Sequence, residues 1–290
     1  MTKVQVHGYQ PKRIGSHVFL VILCVYFLIP LWWLIVASTK SNAALFTSTG
    51  SALWFSDHFS FFANVQGLST YQNGIYWTWL GNSLLYAVVG GGGATIISVM
   101  AGYGFAKYRF KGRGFLFMLV LGSVMVPATA LVLPLFMMFS KLSLVNTMWA
   151  VILPSLLSPV GTYLIRVYCQ DALPDELMDA ARVDGANELR LFWSVGLPQL
   201  RPALVTVLLL SVVATWNNFF LPQIMLSSPR LYPVTVGLYN WLVHSNAGSG
   251  AEQVWYLVVS GAFISIVPLI VVFLTLQRYW QSGLALGALK

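Results

Sequence analysis

Six stretches of this chain, at 15–37, 81–106, 115–139, 146–165, 202–226 and 255–277, contain no Asp, Glu, Lys or Arg. A helix needs about 20 apolar residues to cross the hydrocarbon core of a bilayer, so each stretch is long enough to span one. Their apolar residues run continuously instead of alternating, which predicts helices and not a barrel. The rest of the chain cannot supply a soluble surface: only 8% of its 290 residues are charged, against about a quarter in a soluble domain. The expected fold is all-α, a polytopic membrane protein with six transmembrane helices. Val36-Ala37-Ser38 has the form of a signal-peptide cleavage site, but the apolar run before it exceeds the usual length of about 7–15 residues, so a retained first span is expected.

The basic residues orient the bundle. With six spans both termini share a side, and that side holds Lys3, Lys12, Arg13, Lys107, Arg109, Lys111, Arg113, Arg166, Arg182, Arg190, Arg201, Arg278 and Lys290. The other side holds Lys40, Lys141 and Arg230. The excess places both termini in the cytoplasm. It also accounts for the net charge of +8 without nucleic acid. The run Lys107 to Gly114 is then a tight cytoplasmic turn beside anionic lipid heads. The chain divides into a cytoplasmic N-terminus (1–14), a first helix with an external loop (15–76), a transmembrane core (77–277) and a cytoplasmic tail (278–290). The external segment 39–80 is rich in Phe, Trp and Tyr, which suits either interfacial anchoring or an external partner. Pro127, Pro134, Pro154, Pro159 and Pro268 are expected to interrupt spans three, four and six. Gly90 to Gly93 is expected to let another helix approach span two. Cys24 and Cys169 read as small apolar residues, not a disulfide pair.

The spans carry no carboxylate that an ion-coupled transporter would use, and His17 is the one histidine near a span. No phosphate-binding loop, metal-ligand spacing or nucleophile elbow is visible, which disfavours an ATPase and a lipid-acting enzyme alike. Work done on a solute would have to come from another chain. Six of the eight acidic residues, Asp171, Asp175, Glu176, Asp179, Asp184 and Glu188, gather in the predicted cytoplasmic loop 167–201. Pro174 suits the first position of a helix, with Asp175 and Glu176 in its first turn. Asp184-Gly185 reads as its end. A second helix starting near Ala186 carries Leu189, Phe192 and Val195 and stops at Gly196-Leu197-Pro198. The loop is thus a helix-turn-helix elbow with small residues at its bend, and Leu177, Leu189, Phe192 and Trp193 suit insertion into a groove on a soluble partner.

The run Asp179 to Leu204, "DAARVDGANELRLFWSVGLPQLRPAL", resembles the cytoplasmic loop of binding-protein-dependent ABC importer permeases, which has the form Glu-Ala-Ala, three residues, Gly, nine residues, Leu-Pro. Ala180, Ala181, Gly185, Leu197 and Pro198 fall on its positions, and Asp179 stands where the family has Glu. "TWNNFFLPQIML" from Thr215, "YPVTVGLYNW" from Tyr232 and the stretch from Leu276 to Lys290 look like the carbohydrate branch, the maltose-type second permease subunit. The resemblance implies a non-catalytic subunit that forms half of a pathway with a second permease. Its loop 167–201 would engage a cytoplasmic ATPase subunit dimer through Leu177, Asp179, Ala180, Ala181, Asp184, Gly185, Ala186, Leu189 and Phe192. It implies no cofactor in this chain, ATP and Mg being used by the partner ATPase. It also implies an external solute-binding protein, a sugar substrate, surrounding membrane lipid and a tail ending at Lys290 that reaches the ATPase. Residues suited to a sugar are Trp216, Asn217, Asn218 and Phe219, with Asn82, Ser83 and Ser123 behind them. A glycerol-3-phosphate or other polyol substrate is the alternative, and the lack of a cation in any span speaks for a neutral sugar.

Overall fold

The computed structural model describes residues 12–47, 52–246 and 252–287, with the side chains of 12–13, 47 and 280–287 left aside. Among the described residues every regular element is helical. Four helical runs are long and apolar enough to cross a membrane, and the number rises to six when each of two sharply bent pairs counts as one span.

The first helix, α1 (Lys12–Ser38), is about 40 Å long at 1.5 Å per residue, and leaves nearly all of its apolar surface exposed. That surface suits lipid. After α2 (Asn42–Thr47), a continuous helical run from Phe61 to Lys107 is built from α3 (Phe61–Thr70), α4 (Ile75–Tyr86) and α5 (Gly92–Lys107). Two irregularities shape it. Gln72, Asn73 and Gly74 take consecutive left-handed conformations, φ +47°, +58° and +69°, and Ala87–Gly91 forms a π-helical turn.

The third apolar stretch is interrupted at Pro127, as the sequence predicts. It splits into α6 (Arg113–Val124) and α7 (Ala128–Lys141), bent by 104°. Pro127 stands directly before α7, where its missing N–H and its steric demand on Val126 oppose a continuous helix. The fourth span breaks between α8 (Trp149–Ser155) and α9 (Pro159–Ala172). Ser158 caps α9 by accepting from the Gly161 N–H, and Pro159 holds the first helical position. Pro134, Pro154 and Pro268, by contrast, lie inside helices. Helix α9 extends past residue 165, so the Trp149–Ala172 run continues beyond the charge-free stretch and takes in Arg166 and Asp171.

Beyond α10 (Asp175–Val183) and α11 (Glu188–Gln199), the fifth stretch forms α12 (Arg201–Trp216). It stops at Asn217 and resumes as the short α13 (Phe220–Met225). The structure ends with α14 (Val234–Ser245) and α15 (Trp255–Gly287).

Glycine sets the closest approaches. A Cβ on Gly91 would lie 2.8 Å from the Val212 backbone N and Cα on α12, and one on Gly90 would lie 2.8 Å from the Ser155 Cβ. One on Gly102 would lie 2.7 Å from Ile165 on α9. Backbone contact of this kind supplies van der Waals packing where lipid tails remove the hydrophobic drive between helices. Substituting Gly91 with Ala is expected to destabilise the protein by about 1–3 kcal/mol, because backbone cannot yield as a side-chain tip does. Gly92→Ala, with nothing within 4 Å, is the control. Thermal unfolding in detergent checks it: the Gly91 variant melts lower and the Gly92 variant does not.

Candidate functional site

The elbow is assembled by short-range physics. Helix α10 closes in a Schellman motif: the Ala186 N–H donates to the Ala181 carbonyl and the Gly185 N–H to the Arg182 carbonyl, each at 3.0 Å. Gly185 takes φ +82° at the position the motif reserves for a left-handed residue. Ala181 and Ala186, the two residues that this motif brings together, pack half-buried against the apolar cluster beneath the elbow. Asn187 then caps α11 by accepting from the Arg190 N–H at 2.8 Å. Pro174 sits one position before α10 as its cap, not at its first helical residue. Gly196-Leu197-Pro198 does not stop α11, which passes through a π-helical turn at Leu191–Gly196 and ends at Gln199. The 79° bend to α12 follows there.

Charge then stiffens the bend. Arg182 binds Asp179 on its own arm at 2.8 Å and Glu188 across the turn at 3.1 Å. Lys107 at the end of α5 pairs with Asp175 at 2.8 Å and also donates to the Leu173 carbonyl. The Tyr108 hydroxyl donates to Glu188 at 3.0 Å. The Lys107 hydrogen bond and charge hold the Asp175 carboxyl below its ordinary value. Arg182 does the same to Glu188. A depressed folded-state value means that the stabilisation is present above the ordinary carboxylate range and is lost as pH falls through the lowered values. These pairs therefore persist at neutral pH.

The residues that the sequence singles out divide into two groups. Leu177, Leu189 and Trp193 stand exposed on the elbow, at 41%, 72% and 62%, and so does Val183, at 87%, which the sequence does not single out. Ala180 and Asp184 lie exposed among them. Phe192 is not part of that outer surface. Its ring meets Tyr103 of α5 edge-on at 5.0 Å between centroids, turning it inward. Met178 and Leu191, which the sequence reading passed over, are the fully buried pins beneath the two arms. Their signal is an apolar residue one or two positions after Leu177 and Leu189, turned about 100° and 200° from them round the helix.

The proposed pathway residues are also dispersed. Asn82 donates both amide hydrogens to backbone, to the Arg230 carbonyl at 2.8 Å and the Tyr232 carbonyl at 3.0 Å. It belongs to a row on α4: Trp79 donates to the Pro229 carbonyl, Ser83 accepts from the Val234 N–H and Tyr86 donates to the Leu231 carbonyl. The row satisfies the irregular segment 229–234 from one helical face, and Asn82 is a structural clamp. The Ser123 hydroxyl donates to the Val120 carbonyl of its own helix. Trp216 is buried. Asn217 and Asn218 occupy the break between α12 and α13, and their side-chain amides make no hydrogen bond among the described residues. Phe219 meets Tyr239 edge-on at 4.9 Å. In α13 the Gln223 Oε1 is buried without a hydrogen-bond partner, a polar atom the sequence reading did not pick out. Among the described residues no three His, Cys, Asp or Glu are grouped to hold a metal. Arg166 lays its guanidinium 3.8 Å from the Phe117 ring centroid, a cation–π contact inside the fourth span. The tail residue Lys290 lies outside the described residues.

The described residues thus form a bundle of apolar helices with an elbow, stiffened by charge, that leaves apolar side chains exposed. Comparisons with known proteins say what kind of bundle this is. The family model for the binding-protein-dependent transport system inner membrane component matches residues 93–285, and the chain belongs to this family of ABC importer permeases. It is 39% identical over 219 residues to the arabinooligosaccharides transport system permease protein AraQ of Halalkalibacterium halodurans, covering 76% of each chain. To the protein of the same name from Bacillus subtilis it is 34% identical over 278 residues, covering 96% of each. The crystal structure of a bacterial ABC transporter involved in the import of the acidic polysaccharide alginate matches with a TM-score of 0.80 at 25% identity. That match covers 96% of this chain and 100% of the other. Permeases of this family are multi-pass, non-catalytic subunits, and the ATPase activity resides in a separate subunit.

Replacing Asn82 with Leu is expected to cost about 1 kcal/mol, because the Arg230 and Tyr232 carbonyls both lose their donor. Ser123→Ala, which removes only a bond within one helix, is expected to cost far less. The difference in melting temperature between the two purified variants is the measurement.

Proposed function

We propose that this chain is one of two permease subunits of an ATP-driven importer for a carbohydrate of oligosaccharide size, and that loop 167–201 is where the ATPase acts on it. The observation that carries the reading is the elbow: a Schellman-locked bend, stiffened by Arg182, that holds Leu177, Val183, Leu189 and Trp193 out of the protein's own core. Exposed apolar groups beside charge suit an interaction surface. A rigid arm between spans four and five turns a push into rotation of the helices on either side. Residues Asp179, Ala180, Ala181, Asp184, Gly185 and Ala186 build the bend, Leu177 and Leu189 make the contact, and Phe192 anchors it to α5. ATP and Mg are consumed by the ATPase pair, and an external binding protein delivers the solute.

Solute contact is assigned to the broken fifth helix. A helix interrupted at membrane depth is tolerated where it is covered by protein or lines a cavity, and transporters place substrate groups at such breaks. Asn217, Asn218 and the buried Gln223 Oε1 supply uncommitted polar groups there, with Phe219 as an aromatic wall. Sugars take this combination of hydrogen bonds and ring faces. The sugar reading draws on the arabinooligosaccharide permeases and the alginate importer that the chain resembles.

Two outcomes are expected. With the complete complex in proteoliposomes, Gly185→Val should leave the subunits assembled and lower solute uptake per ATP hydrolysed at least tenfold, because a β-branched residue opposes φ +82°. Normal uptake by an intact Gly185→Val complex defeats the coupling role, and uptake that follows an ion gradient and ignores ATP defeats the importer reading altogether. Asn218→Leu should reduce transport of an oligosaccharide about tenfold while ATP hydrolysis driven by the binding protein continues. Unchanged transport removes the break from the pathway.

A further inference from the structure

The elbow does not reach the membrane bundle only through the chain that continues into α9 and α12. It is also tied sideways to α5, a helix that is remote in sequence. Lys107, the last residue of α5, has its side chain 8% exposed, and it holds Asp175 on the first arm together with the Leu173 carbonyl at the hinge before it. Tyr108, the next residue, holds Glu188 on the second arm, the carboxylate whose other oxygen is bound by Arg182. Two adjacent residues thus grip both arms, one arm each. Below them Tyr103 packs its ring against Phe192, and a Cβ on Gly196 would lie 3.1 Å from that same ring.

Glycines set how closely this helix run meets α9 and α12. Gly102 accepts Ile165 of α9, and Gly91, in the π turn just before α5, lies against the Val212 backbone of α12. The elbow, α5, α9 and α12 therefore form a closed loop of contacts. Met178, Leu191 and Phe192 close it by apolar packing, and Lys107 and Tyr108 add the polar contacts from α5 that grip each arm.

Resting on the coupling reading above, we propose that Lys107 and Tyr108 are positioning residues that clamp both arms of the elbow to α5, so that a push on the elbow displaces α5, α9 and α12 as one unit. They touch neither solute nor nucleotide. Their effect is on how much of each ATP-driven movement reaches the pathway.

The test uses the complete transporter in proteoliposomes and reads solute molecules taken up per ATP hydrolysed. Lys107→Met is expected to lower this ratio three- to tenfold, and Tyr108→Phe, which deletes one oxygen and leaves the ring, about twofold. The exchanged pair Lys107→Asp with Asp175→Lys is expected to recover at least half of the loss, which a role confined to packing would not allow. An unchanged ratio in Tyr108→Phe and Lys107→Met overturns the proposal, as does an exchanged pair no better than Lys107→Met. If Lys107→Met does not assemble, Tyr108→Phe decides alone, and an unchanged ratio there overturns the clamp. Gly185→Val run alongside separates the two ideas. If it uncouples while the Lys107 and Tyr108 variants do not, only the clamp fails; if none of them uncouples, the elbow reading fails with it.

Discussion

The constraint from which the rest of this structure follows is the need of every peptide group in hydrocarbon for a hydrogen-bond partner within the protein, each unsatisfied group costing several kcal/mol. Helices meet it by themselves, which is why apolar runs without charge become helices here. Breaks do not, and several breaks among the described residues are met by specific devices. Ser158 caps the start of α9. The row Trp79, Asn82, Ser83 and Tyr86 on α4 answers the exposed backbone of 229–234. Asn146 accepts from the N–H groups of Ser227 and Ser228 where α13 ends. The break at Asn217 is the one whose side-chain amides remain uncommitted among the described residues, and this sets it apart.

The acid-rich stretch was legible because its geometry is local. Gly185 and its flanking alanines announce a Schellman turn through residue type alone, and the structure supplies that turn hydrogen bond for hydrogen bond. What the stretch does with its charges was not legible. Asp175, Asp179 and Glu188 are bound within the protein, by Lys107, Arg182 and Tyr108. Two of those partners are more than sixty residues away in sequence, and no local pattern encodes them. Fewer carboxylates are thus left without a cation beside them than a count of the loop suggests.

Prolines show the same limit from the other direction. Pro127 and Pro159 stand at breaks, while Pro134, Pro154 and Pro268 ride inside helices. The residue is the same, and its consequence depends on whether neighbouring helices can take up the freed carbonyl. Phe192 is a related case. The π-helical turn at Leu191–Gly196 inserts an extra residue into the repeat, so a reading at 3.6 residues per turn assigns that part of α11 to the wrong side. Span positions survive such slips, because absence of charge is a property of composition. Facing does not, because it depends on phase.

The reversed twist at Gln72, Asn73 and Gly74 has a consequence of its own. It joins two right-handed helices through three residues wound the opposite way, with no slack on either side. Each residue of a helix advances the azimuth by about 100°. Inserting or deleting one amino acid there would swing the clamp row of α4 away from the backbone it serves, and would do so without touching any member of that row. This short counter-wound joint therefore acts as a length gauge. Related chains that keep the clamp should tolerate changes of residue at the joint far more readily than changes in the number of residues.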